Sequence, residues 1–319
     1  MRKSCCLIYN KHASGFKEHK LPKITEKILK AGYNPTLLES EYPGYIIDQV
    51  PRLNNEFDVI LTMGGDGTVS EAYEAFHGLE EQHAIYGHIP GGTTNDMGPN
   101  TYLPRYNPVK ATSLLLNGTV ENRQIITVNN QPIAYVAAGG ILAPVTYLID
   151  KSNDKKDVGT FSYVRYGARK LLTDEKLYKD IIRNPYQITY TANGETVQTE
   201  AIFFAIFNGR SFANLNINPH ANMCDNMFEV AIVHNQSDLF KMVSRCTPFS
   251  KNGIMGLDPN TVFSTDSLEL TFTDGIPYYP INCDGDPKEI LTEENNTISV
   301  KPGGTISELS GKQKKYGSR

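Results

Sequence analysis

The sequence predicts an open α/β half with a mostly parallel sheet, followed by a half built of antiparallel β-strands. Three observations carry this reading. Strand, loop and helix patterns alternate over roughly the first 120 residues. After about residue 121 the texture changes to paired strand patterns flanking Asn-Asn and Asn-Gly, dipeptides suited to tight hairpins. The length, 319 residues, fits about two domains of roughly 100 to 200 residues each.

Cys5-Cys6-Leu7-Ile8-Tyr9 is an apolar run that ends at Asn10 and a polar loop containing Ser14-Gly15, the pattern of a buried strand running into a turn. Leu21, Ile24, Ile28 and Leu29 recur at helical spacing, with Gly32 as the stop. Pro35 to Leu38 reads as a second strand, Tyr45 to Leu53 as a short helix, and Phe57 to Thr62 as a third strand of β-favouring residues. Val69 to Phe76 has helical spacing and Ala84 to Ile89 is a fourth strand. Val109 to Leu116 is a helix opened by Pro108 and closed by Gly118. In open sheets of this kind ligands sit beyond the C-terminal ends of the strands.

In the second half, Ile125 to Val128 and Ile133 to Ala138 flank Asn129-Asn130, and Tyr186 to Thr191 and Thr196 to Phe207 flank Asn193-Gly194. Phe228 to Val233, Ser267 to Thr273 and Thr297 to Val300 add strands, the second with Leu268, Leu270 and Phe272 alternating. Two helices interrupt them, Phe161 to Tyr178 and Ser237 to Cys246, while Lys151 to Asp157 is a charged loop. Gly311 to Arg319, with Lys312, Lys314, Lys315 and Arg319, reads as a frayed tail. The expected divisions are residues 1–122, 123–300 and a C-terminal segment and tail, 301–319.

With 35 acidic and 31 basic side chains and a net charge of −4, the chain lacks the cationic surplus that holds nucleic acid by bulk electrostatics. Its longest purely apolar stretch, Ala201 to Phe207, is far short of a membrane span, and the apolar run after Met1-Arg2-Lys3-Ser4 is too short for a signal-peptide core. Five cysteines, an odd number with one adjacent pair and no CxxC, point to free thiols in a reducing, cytoplasmic setting. His83 and His88 have no Cys or carboxylate at the spacing that would complete a zinc site.

Two loops carry chemistry. Met63-Gly64-Gly65-Asp66-Gly67-Thr68 joins a strand to a helix. Its glycines let backbone N–H groups face one anion, and the helix N-terminus adds partial positive charge. A carboxylate, Asp66, within such a turn fits Mg²⁺ or a proton transfer; an ordinary turn with Asp66 or Thr68 as helix cap is the alternative for the motif alone. Pro90-Gly91-Gly92-Thr93-Thr94-Asn95-Asp96 follows the next strand, so both loops fall on one sheet edge. Neither a GxxxxGK[ST] loop nor a GxGxxG after the first strand occurs.

Gly64-Gly65-Asp66-Gly67-Thr68, followed by Pro90-Gly91-Gly92-Thr93-Thr94-Asn95-Asp96, resembles the catalytic domain of the diacylglycerol kinase and sphingosine kinase superfamily, and in particular its soluble bacterial diacylglycerol kinases. The first motif is shared with NAD kinases and 6-phosphofructokinases, and the second narrows it to lipid kinases. Ser40-Glu41-Tyr42-Pro43-Gly44, Ala137-Ala138-Gly139-Gly140, Lys156-Asp157-Val158-Gly159 with Tyr163, Asn208-Gly209, Pro219-His220-Ala221, Asp225-Asn226-Met227-Phe228-Glu229 and Cys283-Asp284-Gly285-Asp286 continue the likeness.

The resemblance implies an N-terminal nucleotide-binding α/β domain, a C-terminal β-sandwich, an active site in the cleft between them, and ATP-dependent phosphorylation of a lipid hydroxyl, diacylglycerol first. It implies ATP held by Asn10, Ser14, Gly15, Ser40, Gly64, Gly65, Asp66, Gly67, Thr68, Glu71 and Thr93, with Asp66 near Mg²⁺ and the phosphates. Asp96 and Lys156 would join a polar network linking the domains. Asp286 would take the proton from the lipid, and a structural magnesium would use the Asp225 carboxylate and backbone oxygens of Asn222 and Met227. The implied partner is a lipid met peripherally at the inner face of a membrane, and a magnesium-dependent homodimer is a further implication. Arg165, Arg169 and Lys170 on the inserted helix are candidates to meet anionic head groups, with a plainly solvated helix face as the alternative.

The chain departs from the family pattern at four places. The loop from Asn10 to Gly15 lacks a proline after Asn, Asn226 replaces a glycine, Gly98-Pro99 interrupts the helix expected after the second motif, and Asp286 stands where the family has glutamate, one methylene longer. An NAD-directed kinase, a sphingosine-type lipid kinase and a catalytically weak nucleotide-binding relative remain the alternatives.

Overall fold

The computed structural model describes residues 2–141, 182–212, 215–246, 250–275, 277, 280–292 and 294–311. The expected helix from Phe161 to Tyr178, the charged loop from Lys151 to Asp157 and the tail beyond residue 311 lie outside the described residues. The chain divides into two compact units, Met1–Arg123 with Thr305–Arg319, and Gln124–Gly304.

The first unit alternates as its periodicity predicts: β1 (Lys3–Tyr9), α1 (Leu21–Lys30), β2 (Tyr33–Glu39), α2 (Tyr45–Glu56), β3 (Val59–Gly64), α3 (Asp66–His77), β4 (Ile85–Pro90), a single turn α4 (Met97–Asn100) and α5 (Pro108–Leu116), after which β5 (Thr119–Val128) leads onward. The strands stand in the order β2-β1-β3-β4, all parallel. Tyr9 is opposite both Glu39 and Met63, and Gly64 is opposite Pro90. That register puts Asn10, Ser40, Gly65 and Gly91, each the residue after a strand or its last pair, along one C-terminal edge.

Side chains alternate across the sheet. Cys5, Leu7, Val59, Leu61, Met63 and Ile89 pack with Ile24 and Ile28 of α1, Ala111 and Leu115 of α5, and Leu309. The alternate positions of β3 and β4 include a buried polar group: Thr62 Oγ1 lies 2.9 Å from the Tyr86 hydroxyl and 3.0 Å from His88 Nδ1. Residues 305–310 run beside β4, with Glu308 paired to Tyr86. The Glu308 carboxylate accepts from the Tyr73 hydroxyl of α3 at 3.0 Å and pairs with Arg123 at 3.2 Å.

Burial pushes the Glu308 carboxyl up to about 7, outweighing Arg123 and Tyr73. The native state therefore keeps a proton that the unfolded chain has released, so this residue's contribution to stability is greatest at acid pH and falls as pH rises through about 7. Glu308→Gln is expected to flatten that part of the pH dependence of the urea midpoint between about pH 5 and 8; identical slopes in the two proteins would exclude the assignment.

The second unit contains β6 (Gln131–Ile133), β7 (Val136–Gly140), β8 (Tyr186–Ala192), β9 (Glu195–Ala201), β10 (Phe203–Phe207), β11 (Ser211–Phe212), β12 (Leu215–Asn216), β13 (Phe228–Val233), α6 (Gln236–Arg245), β14 (Val262–Thr265), β15 (Leu268–Phe272), β16 (Ile281–Cys283), β17 (Asp286–Lys288) and the greater part of β18 (Thr297–Ser310). Both expected tight turns form, with Asn129 and Asn130 at φ 49° and 65° and Asn193 and Gly194 at φ 52° and 79°, the left-handed pairs that two-residue hairpins require.

Two strands expected to be continuous are broken. Ile133 to Ala138 divides because the amides of Ala134 and Tyr135 donate to the Asp284 carboxylate, at 2.7 and 3.0 Å, in place of a partner strand. Thr196 to Phe207 divides at Ile202, where the chain changes sheets: β9 pairs with β8, whereas β10 lies between β7 and β13. One layer contains β9-β8-β15-β18 with the β5-β6 hairpin against β18, and the other runs β14-β13-β10-β7-β16-β17. Ile188, Leu268, Leu270, Ile298 and Val300 of the first meet Phe204, Ile206, Phe228, Val230 and Ile281 of the second in one apolar core, a β-sandwich.

Candidate active site

At the sheet edge of the first unit the glycines permit close approach. Gly65, the residue before α3, has φ −92° and ψ −165°, ordinary extended backbone. A Cβ on Gly64 would lie 2.1 Å from Thr68 Oγ1, one on Gly92 would lie 2.4 Å from Gly65 Cα, and one on Gly15 would lie 2.5 Å from the Gly92 carbonyl oxygen. Backbone bonding joins the loops as well, since the Gly91 amide donates to the Gly64 carbonyl at 2.7 Å. The sequence reading assigned the glycines to turning amides toward an anion; what the packing demands of Gly15, Gly64 and Gly92 is the absence of a side chain.

Gly92→Ala is therefore expected to cost roughly 1 to 3 kcal/mol, the range for overpacking, and to weaken ATP binding by spreading the loops. Gly67→Ala, with nothing within 4 Å of the added carbon, is expected to keep or raise the melting temperature, as alanine favours helix. Equal melting temperatures for the two variants would contradict this account.

Asp66 is the first residue of α3 and does not cap the helix, because the cap position is Gly65, and Thr68 makes no capping bond either. Instead the Asp66 carboxylate points across to the second loop. Oδ1 accepts the Asp96 amide at 2.7 Å and Oδ2 accepts the Thr94 hydroxyl. Burial and the neighbouring Asp96 charge raise its pKa above the usual carboxylate range, against the pull of Thr94, the Asp96 amide and Arg105. The second loop is held from within by Asn95, at φ 52°. Asn95 Oδ1 accepts the Gly92 amide at 2.7 Å, and Nδ2 donates to the Gly92 and Arg105 carbonyls, each at 2.8 Å.

Gly98-Pro99, read as a helix breaker, leaves room for the single turn of α4; proline at a third helical position lacks an N–H that would have had no intrahelical acceptor. Beyond it Arg105 Nη1 donates to Asp96 Oδ1 at 2.7 Å and to the Thr94 carbonyl at 2.9 Å. No motif singled out Arg105, which stands outside both glycine loops, and only the folded chain returns it to them.

The remaining residues expected around the nucleotide occupy the same edge. The Asn10 amide donates to Met63 O at 2.9 Å and the Asn10 side chain accepts from His12 N–H at 2.9 Å. The Ser14 and Thr93 hydroxyls are in hydrogen-bond contact, joining the first and last loops. Ser40 follows β2, its amide donating to Tyr9 O at 2.9 Å. Thr68 is buried and Glu71 half-buried along α3.

In the second unit Asn222 and Asp225 are exposed in the loop before β13. Asp225 Oδ1 accepts the Met227 amide at 3.0 Å, Asn226, in the place of a family glycine, takes the left-handed conformation at φ 61°, and the Met227 carbonyl accepts from Gln124 Nε2 at 2.6 Å. Asp286 begins β17, paired with Cys283. Lys156 lies outside the described residues. Asp284, beside Asp286, is buried and accepts the amides of Ala134, Tyr135 and Val136 at 2.7, 3.0 and 3.0 Å. The Asp-Gly pair of a hairpin turn was the available sequence signal for its position; its three amide partners were not legible.

Residues 4–128 match the model of the diacylglycerol kinase catalytic domain. The chain is 28% identical over 231 residues to a diacylglycerol kinase of Bacillus subtilis, covering 71% of this chain and 72% of the relative. It is 32% identical over 239 residues to a diacylglycerol kinase of Staphylococcus epidermidis, covering 73% and 71%. A crystal structure of a diacylglycerol kinase from Bacillus anthracis superposes with a TM-score of 0.70 at 18% identity, covering 96% of this chain and 97% of that one, and so shares the fold. With the glycine loops and Asp66 arranged on a parallel sheet edge, and with this identity sustained over more than two thirds of both chains, the chain belongs to the diacylglycerol kinase family.

Proposed function

We propose that the protein is an ATP-dependent lipid kinase that transfers the γ-phosphoryl group to the free hydroxyl of diacylglycerol, giving phosphatidic acid. The observation that carries this is Asp66 at the N-terminus of α3, held between two glycine loops packed backbone against backbone. A helix N-terminus favours bound phosphate, and a carboxylate beside it fits a transfer whose catalysis is positioning and charge stabilisation. The relatives are named diacylglycerol kinases, which favours that substrate over NAD.

Asn10, Ser14, Gly15, Ser40, Gly64, Gly65, Gly67, Thr68, Glu71 and Thr93 are the groups we assign to ATP on the α/β unit, with the lipid assigned to the β unit. Asp66 suits a divalent cation: each carboxylate oxygen accepts one hydrogen bond and retains a second lone pair. At the second position Asp225 with the carbonyls of Asn222 and Met227 forms an all-oxygen donor set, the hard chemistry magnesium prefers. Bound Mg²⁺ supplies charge neutralisation on the phosphates. The lipid oxygen forms a bond to Pγ as the bond from Pγ to the β-bridging oxygen breaks and ADP departs; Asp286 is the group we assign to receive the hydroxyl proton. Asp96 is assigned to the supporting polar network, and Lys156, assigned to it by the resemblance, lies outside the described residues.

No helix among the described residues is long and apolar enough to cross a membrane, so the contact with the lipid surface is proposed as peripheral and transient, at the inner face. The basic residues considered for it, Arg165, Arg169 and Lys170, lie outside the described residues.

Purified protein with labelled ATP and Mg²⁺ is expected to label diacylglycerol in mixed micelles, ahead of sphingosine or NAD, and Asp286→Ala to abolish that labelling. Labelling of NAD alone, or none with measurable ATP binding, would overturn the assignment, and full activity in Asp286→Ala would remove that residue as base.

A further inference from the structure

The long connection between β4 and α5 is tied together by one arginine. Its backbone is anchored nearby: Leu103, 5% exposed, joins the apolar cluster beneath α1 and α5, and the Leu103 amide donates to Gly98 O at 2.8 Å. From there the side chain turns back. One nitrogen, Nη1, bridges Asp96 Oδ1 and the Thr94 carbonyl, and the pair is nearly sealed, with Arg105 17% and Asp96 3% exposed. The Arg105 carbonyl is also an acceptor for Asn95 Nδ2, so side chain and backbone grip consecutive residues of the same loop.

Nη1 also reaches the Asn95 carbonyl at 3.4 Å, and the two residues it holds more closely are the two that hold Asp66. Thr94 supplies the hydroxyl on Oδ2 and Asp96 the amide on Oδ1. We propose that Arg105 is a positioning residue for phosphoryl transfer, acting through Thr94 and Asp96 to orient the Asp66 carboxylate toward the nucleotide phosphates. The proposal rests on the reading of this edge as the phosphoryl-transfer site. Loss of the guanidinium leaves the buried Asp96 carboxylate beside Asp66 without this counter-charge and releases the Thr94 carbonyl. Lysine is a poor replacement, because its side chain ends one bond short of Nη1, the single nitrogen that bridges both acceptors.

The test uses the full chain, with Arg105→Met, Arg105→Ala and Arg105→Lys checked for folding by circular dichroism and thermal melting. ATP and diacylglycerol are varied separately. Arg105→Met is expected to lower kcat about 100-fold, the scale of a small misplacement of a catalytic group, and to weaken ATP binding several-fold while leaving KM for diacylglycerol unchanged. Added guanidinium at tens of millimolar is expected to restore part of kcat to Arg105→Ala but none to Arg105→Lys, whose side chain fills the space. Arg105→Met placed on Asp66→Asn is expected to add little further loss, since the effect runs through Asp66.

A folded Arg105→Met with kcat within about twofold of the parent, or losses fully additive with Asp66→Asn, would overturn the proposal. Should the Met and Ala variants not fold, Arg105→Lys decides, and parental kcat there would overturn it. If the parent protein transfers no phosphoryl group to any lipid, the functional reading has failed separately; ATP affinity by calorimetry then tests Arg105, and unchanged affinity in Arg105→Met would overturn its role.

Discussion

Asp66→Asn is expected to lower kcat for lipid phosphorylation by about 10²- to 10³-fold, the scale measured when one preorganised charge-stabilising group is removed from an active site, with little change in stability. The substitution is nearly isosteric. One oxygen remains to accept the Asp96 amide, and the Thr94 hydroxyl can rotate to accept from the new amide nitrogen, so the bonds at 2.7 Å and to Thr94 have replacements. What disappears is the charge. Because burial and Asp96 both disfavour the ionised Asp66, neutralising it relieves a cost in the native state. The signature is therefore a protein that melts at or above the parental temperature yet transfers phosphate poorly. A variant that works normally would remove Asp66 from the chemistry assigned to it, and one that melts earlier would contradict the cost assigned to its buried charge.

Asp284→Ala is expected to produce the opposite pattern, a loss of roughly 2 to 3 kcal/mol of stability. Three amides, from Ala134, Tyr135 and Val136, share its carboxylate, and the variant leaves them buried without an acceptor, at about 1 kcal/mol or more each. Part of the loss is offset because the variant no longer buries a charge whose desolvation raises the Asp284 carboxyl to about 6. The same raised value means that the parent gains stability from this group as pH falls through about 6, so the difference between parent and variant should widen toward pH 5. Urea unfolding at pH 5 and pH 8 measures both effects. A change below about 0.5 kcal/mol, the usual scale of a surface substitution, would show that the amides find other partners. Asp284→Asn should fall between, since one of its two polar atoms donates rather than accepts.

The elements of the first unit were legible because each is a local pattern. Ile24 and Ile28 recur at helical spacing, and Phe57 to Thr62 is a short run of β-favouring residues, so local pattern locates α1 and β3 to within a few residues. The hairpins at Asn129-Asn130 and Asn193-Gly194 were legible for a related reason: those residues adopt positive φ at low cost, and the turn demands it. Periodicity is blind to partners, however. Thr196 to Phe207 reads as one apolar run, and nothing local announces that Ile202 passes the chain to another sheet. The last strand was expected to stop at Val300 but continues to Ser310, where Glu308 and Ser310 are fully buried beside Tyr73 and Arg123.

Residue order alone established the alternating α/β half, the antiparallel half, and two glycine loops on one sheet edge, since these follow from helix and strand periods and from the parallel connection rule. It also named Asp66, while the hydroxyls of Ser14 and Thr93 were named by the family resemblance. Only the folded chain decided why Gly15, Gly64 and Gly92 must be glycine, that Asp66 looks to Thr94 and Asp96 rather than to its own helix, that Arg105 turns back onto the second glycine loop, and that Asp284 holds amides 148 to 150 residues earlier in the chain. The physical reason is common to all four. Steric approach and buried hydrogen bonding depend on which backbone segments meet, and that is set by the packing of elements whose separation along the chain carries no local trace.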